Sequence, residues 1–382
     1  MRRTLFTQDH EDFRGLVRDY LTRRVVPEYE DWRRAGLVPR ELFTAMGELG
    51  ILGTSVPEQY GGGGQHDYRY NVVIQEETAR AGVTLGGLRT HLDVVVPYFL
   101  GLADAEQRAR WFPGLASGAL YTAIAMSEPG TGSDLAGIAT KAVREGDHYI
   151  LDGAKTFITG GYHADLVIVA ARTAHDPDNR RAGMTLLVVE KGMPGFAVGR
   201  RLEKLGLPTQ DTVELSFDQV RVPVANRLGE EGVAFSYLGR NLAQERLAIA
   251  VGAVAQTRAA IELTTTYVRD RVVFGKPVAH FQNTKFELAA VVTELEAAQA
   301  FLDAAIVALV AGELDPADAA KTKLFCTEVQ GRVIDRCLQL HGGYGYILES
   351  PIARLYADAR VTRIYGGTSE VLKTIVSKSL GL

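Results

Sequence analysis

One carboxylate, that of Glu245, stands on a predicted helix face that is otherwise mostly apolar. Its neighbours three and four residues away include Leu242, Ala248 and Ile249. Proteins seldom bury a glutamate without a reason, and burial raises the pKa of a carboxyl group towards the range in which it can act as a general base. Taken alone, the pattern is more typical of an ion pair with Arg246 or of a polar contact between helices.

Two glycine-rich strings could bind a polar ligand through backbone N–H groups. Residues 126–137 form a turn that is entered from a predicted strand, and the hydroxyls of Ser127 and Ser133 add to its donors. Residues 363–370 contain a glycine pair that begins at Gly366 and is followed by Thr368 and Ser369, either of which is a typical N-cap. The free N–H groups of a helix that starts there can meet a carbonyl group or an anion.

Other chemical signatures are missing from the sequence. No Gly-x-Gly-x-x-Gly follows a predicted strand, so a Rossmann nucleotide site is unsupported. The eight histidines have no metal-binding spacing, and no Gly-x-Ser-x-Gly elbow indicates a hydrolase. A third glycine-rich string, residues 339–346, indicates by itself only a turn that ends a helix. We therefore expect neither a metal nor a catalytic serine.

Hydrophobic periodicity divides the chain into three predicted domains. Residues 1–120 and residues 231–382 repeat apolar side chains every three or four positions, which predicts helices and, in the second case, a helical bundle. Residues 121–230 change to a period of two without helix-length patterns between the strands, which predicts an antiparallel β-barrel or sandwich. Within this part, the pair Asp152 and Gly153 predicts a hairpin turn.

The composition is that of an ordinary globular protein. The chain has 382 residues, of which 46% are hydrophobic and 23% are charged. A net charge of −4 and a pI near 6.1 argue against nucleic acid or an anionic membrane as the main partner. The two cysteines, Cys326 and Cys337, lie in helical pattern and suit a reducing compartment, and no long apolar leader or membrane segment is visible. We therefore expect a cytoplasmic location.

The three strings together resemble motifs of the acyl-CoA dehydrogenase family. They stand in the order and at the separations of that family, and the resemblance extends over nearly the whole chain. It implies an N-terminal helical domain, a central β-domain and a C-terminal four-helix bundle, with non-covalent FAD in a homotetramer. It also implies oxidation of an acyl-CoA to a trans-2-enoyl-CoA in fatty acid metabolism, with electrons passing to an electron-transferring flavoprotein.

The resemblance also bears on the base. In many members a glutamate stands at the position that matches Gly366, whereas a subset that includes the long-chain and isovaleryl types has Gly or Ala there and carries Glu on the helix of Glu245. This chain has both halves of that exchange. The resemblance therefore implies that Glu245 removes the α-proton while the β-hydrogen leaves as hydride to flavin N5. The backbone N–H of Gly366 would meet the thioester oxygen.

The resemblance also implies roles for further residues of the site. Met126 and Ser127 would contact the pyrimidine edge of the flavin, Thr159 would lie near N5, and Phe157 would form the wall where many members have Trp. The residues that resemble contacts to the FAD of a neighbouring subunit are Arg271, Phe274, Gln282, Gln339 and Gly343. Thr368 and Glu370 resemble residues that close over the cofactor, and Ser133, Arg246 and Tyr365 resemble contacts to the acyl-CoA.

Three alternatives stay open at this point. The acyl group could be carried by an acyl-carrier protein, as in secondary metabolism, rather than by coenzyme A. A flavin monooxygenase on the same scaffold needs no carboxylate base, so Glu245 speaks against it. A helical scaffold protein without enzymatic activity would be colourless when purified. Neither chain length nor branching of the acyl group follows from the sequence.

Overall fold

The structure is a computed structural model that describes residues 3–382. The N-terminal helices are α1 (Gln8–Tyr20), α2 (Tyr29–Ala35), α3 (Glu41–Glu48), α4 (Arg69–Arg80), α5 (Val96–Leu102) and α6 (Ala105–Ser117). The central strands are β1 (Thr122–Ala125), β2 (Lys141–Glu145), β3 (His148–Thr159), β4 (Leu166–Arg172), β5 (Met184–Glu190), β6 (Phe196–Arg201), β7 (Thr212–Pro223) and β8 (Arg227–Leu228). The C-terminal elements are α7 (Ala234–Asp270), β9 (Val272–Val273), β10 (Lys276–Pro277), α8 (Gln282–Val310), α9 (Pro316–Leu340), α10 (Pro351–Ala359) and α11 (Ser369–Ser379). This order confirms the predicted succession of helical, β and helical structure.

The central sheet is open rather than a closed barrel. Its strands follow the order β6-β7-β3-β2-β4-β5-β8, with β1 beside β4, so the terminal strands β6 and β8 do not pair with each other. Most pairs are antiparallel, whereas β4 pairs in parallel with both β1 and β2. The prediction of a mostly antiparallel β-domain is therefore confirmed, and its barrel form is wrong.

Strands β4 and β5 are buried on both faces, which explains their nearly continuous apolar sequence. On one face Val167 and Val189 share a core with Val213 of β7. On the other face Ile168 and Leu186 pack against the apolar side chains of α5 and α6. These helices cover the surface that further strands would have to cover in a closed barrel.

The predicted hairpin turn at Asp152 and Gly153 is wrong. Strand β3 runs through this pair without interruption, and its register with β7 shifts between Leu151 and Gly153, which is a β-bulge. Gly153 has a φ of 151°, and a β-carbon there would overlap with the side chain of Thr140. The turn between β2 and β3 instead uses Gly146, whose φ is 61°.

Helix α9 lies at the centre of the C-terminal part and contacts α7, α8, α10 and α11. Helices α7, α8, α9 and α10 share one apolar core, as predicted for a helical bundle. Helix α7 has 37 residues, and a stretch of it is long and apolar enough, by length and composition, to cross a membrane. However, 67% of that stretch is buried inside the protein, as in the central helix of a folded core.

The segment before α5 is irregular because of one proline. Thr90–Val95 form a π-helical stretch that continues into α5. Pro97 has no N–H to offer the carbonyl of Asp93 four residues earlier, so that carbonyl remains available to another donor. Gln244 Nε2 on α7 donates to it at 3.1 Å. The proline thereby joins this segment to α7 at the residue before Glu245.

Candidate active site

The carboxylate of Glu245 lies inside the protein, between α7 and α5. The residue is only 5% exposed, and Tyr98 Oη donates a hydrogen bond to Glu245 Oε1 at 3.0 Å. Burial raises the pKa of Glu245 to about 7, although the hydrogen bond from Tyr98 and the charge of Arg246 act in the opposite direction. A carboxyl group with this pKa can accept and return a proton near neutral pH.

The neighbouring Arg246 does not form an ion pair with Glu245 in the described part of the chain. Arg246 is 6% exposed, and its Nε has no hydrogen-bond partner among residues 3–382. Burial lowers the pKa of this guanidinium. Of the two structural explanations that the sequence offered for Glu245, the ion pair with Arg246 does not form among residues 3–382, whereas the hydrogen bond from Tyr98 is a polar contact between helices. The unused Nε–H is a donor available to a ligand.

Gly366 lies close against the side chain of Ile249 on α7. Its φ is 62°, and a β-carbon at this position would overlap with Ile249 Cδ1. Ile249 follows Glu245 by four residues on α7 and so lies one turn further along the same face. One face of α7 therefore presents the carboxylate of Glu245 and also fills the space beside residue 366.

The backbone around Gly366 is held by a buried lysine from α9. Lys323 Nζ donates hydrogen bonds to the carbonyl oxygens of Tyr365 at 2.7 Å and Gly367 at 2.5 Å. The C=O and N–H groups of a trans peptide point in opposite directions, so the N–H of Gly366 points away from Lys323. Burial, followed by the charges of two nearby guanidinium groups, lowers the pKa of Lys323 to about 7.

A cavity of about 90 Å³ is bordered by Ile249 and Tyr365, the two residues next to Gly366, whereas Gly366 and Glu245 themselves do not border it. It is lined along α7 from Ile249 to Gln256, and Tyr365 and Gln210 also border it. Gln210 Nε2 lies 3.5 Å from Thr159 Oγ1 at the end of β3. The cavity therefore connects the loop of Gly366 with the strand that carries the predicted flavin wall.

The structure brings Met126, Ser127 and Phe157 together. The N–H of Thr156 donates to the carbonyl of Ser127 at 3.0 Å, and Lys155 Nζ donates to the carbonyl of Met126 at 3.0 Å. Phe157 has a φ of 60° and is 69% exposed. A large residue in this backbone region is strained, and such strain is frequent at functional sites. The arrangement places an exposed aromatic ring beside a polar backbone edge.

The remaining residues of this side lie at the start of α11 and on the glycine-rich turn. Thr368, one of the two predicted candidates, is the N-cap of α11, and its Oγ1 accepts a hydrogen bond from the N–H of Val371 at 3.3 Å. Glu370 is exposed in the first helical turn. Ser133 is exposed on the turn that follows β1.

The five residues that were expected to reach a neighbouring subunit are all exposed. They are Arg271, Phe274, Gln282, Gln339 and Gly343. None of them borders the cavity beside Gly366. The guanidinium of Arg271 lies 5.5 Å from the ring centre of Tyr344, at the edge of a separate groove of about 1020 Å³. The fold therefore presents this set outwards, apart from Glu245.

Sequence reasoning missed three residues of the site. Tyr98 is the one hydroxyl-bearing residue in the apolar stretch 94–100, and Lys323 is a cation in an apolar helix pattern. Ile249 appeared only as a neighbour of Glu245. Each of these signals is weak, because the partner of each residue lies far away in the chain. No group of three or more metal-ligating side chains occurs within residues 3–382.

Comparison with family models assigns the whole length of the chain. The models described as acyl-CoA dehydrogenase N-terminal, middle and C-terminal domains match residues 7–119, 123–220 and 235–381. The long-chain specific acyl-CoA dehydrogenase, mitochondrial, of Rattus norvegicus is 42% identical over 378 residues, which cover 99% of this chain and 88% of that protein.

Solved structures are similar over the same length. The acyl-CoA dehydrogenase from Geobacillus kaustophilus is 44% identical with a TM-score of 0.97, and the match covers 100% of both chains. A glutaryl-CoA dehydrogenase from Mycobacterium smegmatis, solved in complex with FADH2, is 29% identical with a TM-score of 0.88 and covers 98% of this chain and 95% of that chain.

The raised pKa of Glu245 predicts a dependence of stability on pH. Its pKa of about 7 in the folded state lies above the usual glutamate value of 4.5, so between these pH values the folded state binds the extra proton. The free energy of unfolding should therefore fall as pH rises through this window, by at most about 1.4 kcal/mol per pH unit from this group. Urea denaturation should show this fall for the wild type relative to Glu245→Gln. A difference that stays constant across the window would mean that Glu245 ionises normally.

Proposed function

Because the chain belongs to the acyl-CoA dehydrogenase family, we propose that Glu245 is the base with which it removes the α-proton of an acyl-CoA. The reaction is FAD-dependent dehydrogenation of the acyl-CoA, which makes the chain an oxidoreductase. The observation that carries the proposal is the buried carboxylate of Glu245, which is hydrogen-bonded to Tyr98 and has no direct ion pair within residues 3–382. The close approach of Ile249 Cδ1 to position 366 supports it, because a base there would need the Ile249 side chain to move.

The residues present fit FAD. The exposed ring of Phe157 beside the backbone of Met126 and Ser127 suits a flat heteroaromatic ring with polar edges. We assign these three residues, with Thr159, to the flavin, and Thr368 with Glu370 to the closure over it. When bound, FAD supplies the acceptor for the β-hydrogen.

The chain's own groups would handle the thioester as follows. The N–H of Gly366 donates a hydrogen bond to the thioester oxygen as negative charge develops there. Lys323 orients that N–H through the Tyr365 carbonyl, and its ammonium group polarises the same peptide. Glu245 accepts the α-proton, and the hydrogen bond from Tyr98 keeps its carboxylate in place.

Three residues remain as proposed contacts to the acyl-CoA. Tyr365 borders the cavity beside Gly366, and Arg246 has its unused Nε–H. Ser133 lies exposed on the turn that also carries Ser127. The carrier-protein substrate and the monooxygenase are not favoured: the matching models are those of acyl-CoA dehydrogenases, and a monooxygenase has no need of Glu245.

The electrons must leave the enzyme, and we propose an electron-transferring flavoprotein as the acceptor. The test is whether the enzyme, once reduced by a thioester, in turn reduces that flavoprotein.

The free, buried cysteines Cys326 and Cys337 support a reducing cytoplasm, which cell fractionation tests. We retain 1–120, 121–230 and 231–382 as the proposed domain boundaries, which limited proteolysis can examine.

Glu245→Gln is the first test of the base. We expect FAD to stay bound while the rate of flavin reduction by a good thioester falls by at least about 100-fold, because a positioned base contributes on the order of 10²–10⁴. Single-turnover stopped-flow measures this rate. The matched control is Glu262→Gln, an exposed glutamate on the same helix, which should reduce at the wild-type rate. If the Glu245→Gln variant reduces its flavin at the wild-type rate, Glu245 has a structural role only.

Restoring a carboxylate at position 366 extends this test. Glu245→Gln with Gly366→Glu should stay slow, because Ile249 occupies the space and the φ of 62° disfavours a side chain. Adding Ile249→Ala should recover part of the rate. Recovery that is equal with and without Ile249→Ala would show that Ile249 does not fill this position.

We also propose a homotetramer, in which the exposed set around Arg271 completes the cofactor site of a neighbour. Phe274 is 95% exposed, and its one aromatic neighbour is Phe281 at 6.4 Å. We expect Phe274→Ser to weaken the tetramer in light scattering and to lower the FAD content, because the exposed ring would lose its burial against another subunit. The control Val143→Ser, exposed on β2, should change neither. A wild-type holoenzyme that is strictly monomeric would contradict the proposal.

A further inference from the structure

The cavity beside Gly366 has a wall that is polar, although it lies where an acyl chain would extend. The polar side chains that border it from α4 and from the segment before α5 are Asn71, Gln75, Thr78, Arg89 and Asp93. An unsubstituted hydrocarbon chain offers none of them a hydrogen bond. The composition of this wall therefore carries information about the substrate.

Gln75 has an acceptor that no residue in the described chain uses. The residue is 7% exposed, and its Nε2 donates to Asp93 Oδ2 at 2.9 Å. Its Oε1 has no hydrogen-bond partner within residues 3–382. A β-carbon built on Gly252 of α7 would lie 3.2 Å from this oxygen, and Gly252 also borders the cavity. A buried amide oxygen without a partner is costly, unless a ligand supplies the donor.

Asp93 fixes the orientation of that amide. Its carboxylate accepts from Asn71 Nδ2 at 2.7 Å and from Gln75 Nε2 at 2.9 Å. Burial raises the pKa of Asp93 to about 6, so the group is ionised above that pH and can only accept hydrogen bonds. Both amide nitrogens must then face Asp93, and the oxygen of Gln75 must face away from it.

The wall carries little net charge. Arg89 precedes Asp93 by four residues, and its charge lowers the pKa of Asp93 against the effect of burial. The guanidinium of Arg89 lies 5.0 Å from the ring centre of Tyr365. Since one cation and one anion stand together, an anionic group would meet the carboxylate of Asp93 and the oxygen of Gln75 as well as Arg89. The wall fits a neutral hydrogen-bond donor better.

The wall lies several carbons beyond the reacting atoms. Gly252 follows Glu245 by seven residues, which corresponds to about 10 Å along α7. Ile249, which borders the space at Gly366, stands between them on the cavity side. A chain whose thioester is held at Gly366 and which extends along α7 therefore passes Gln75.

We propose that the acyl group of the substrate carries a hydroxyl group several carbons beyond the thioester, and that this hydroxyl donates to Gln75 Oε1. The inference rests on the proposed function, because it takes this cavity as the acyl site. It names the class of substrate that neither the family models nor the relatives assign to this chain.

Binding to the Glu245→Gln holoenzyme tests the inference without requiring turnover. Calorimetry would compare butanoyl-, hexanoyl- and octanoyl-CoA with their ω-hydroxy derivatives and with the corresponding dicarboxylic half-thioesters. We expect the hydroxylated chain to bind roughly tenfold more tightly than the plain chain for at least one length, as for a buried acceptor that gains its partner. Plain or dicarboxylic chains that bind as tightly at every length would overturn the proposal.

Two variants locate the effect. Gln75→Leu, made in the same background, should remove the preference for the hydroxylated chain. The matched control is Thr78→Val, which alters the same cavity. The hydroxyl that it removes already donates to the backbone carbonyl of Gln75 at 2.9 Å, so this variant should keep the preference. A preference that survives Gln75→Leu would also overturn the proposal. If Glu245→Gln proved catalytically active, the assignment of the base would fail, whereas these dissociation constants would still decide the question of the hydroxyl.

Discussion

The burial of Glu245 without a direct cationic partner among the residues that the structure describes is the constraint on which the site depends. Removing a carboxylate from water costs several kcal/mol unless another charge compensates it. Here Tyr98 contributes one hydrogen bond, and the remaining cost appears as a pKa of about 7. The same helix face carries Ile249, which occupies the space beside Gly366. One turn of α7 thus provides a base and disfavours a side chain at the other position from which a base could act.

Backbone carbonyl groups hold the elements around this carboxylate. Pro97 leaves the carbonyl of Asp93 free for Gln244, which joins α7 to the segment that leads into Tyr98. On the opposite side, Lys323 binds the carbonyls on both sides of Gly366. In each contact a side chain from a long helix, α7 for Gln244 and α9 for Lys323, orients an irregular stretch of backbone. The site is therefore built where regular hydrogen bonding is interrupted, as is common for functional sites.

The sequence predicted the parts of the structure that depend on local pattern. The long helices followed from their periodicity, and the N-cap at Thr368 followed from the glycine pair before it. The open sheet and the bulge at Gly153 did not, because strand order and the close approach of Thr140 depend on distant residues. For the same reason Lys323 and Gln75 were missed: the contact of Lys323 is with a loop 42 residues away, and the role of Gln75 appears only when α4 and α7 are packed together.

Exchange of the α-proton with deuterated water tests the role of Glu245 most directly. Holoenzyme whose FAD has been reduced beforehand cannot accept hydride, so deuterium at the α-carbon of a saturated acyl-CoA reports proton removal alone. The account predicts rapid incorporation by the wild type and a rate at least about 100-fold lower in Glu245→Gln at saturating thioester. Incorporation at a similar rate in both proteins would contradict the account, because another group would then remove the proton.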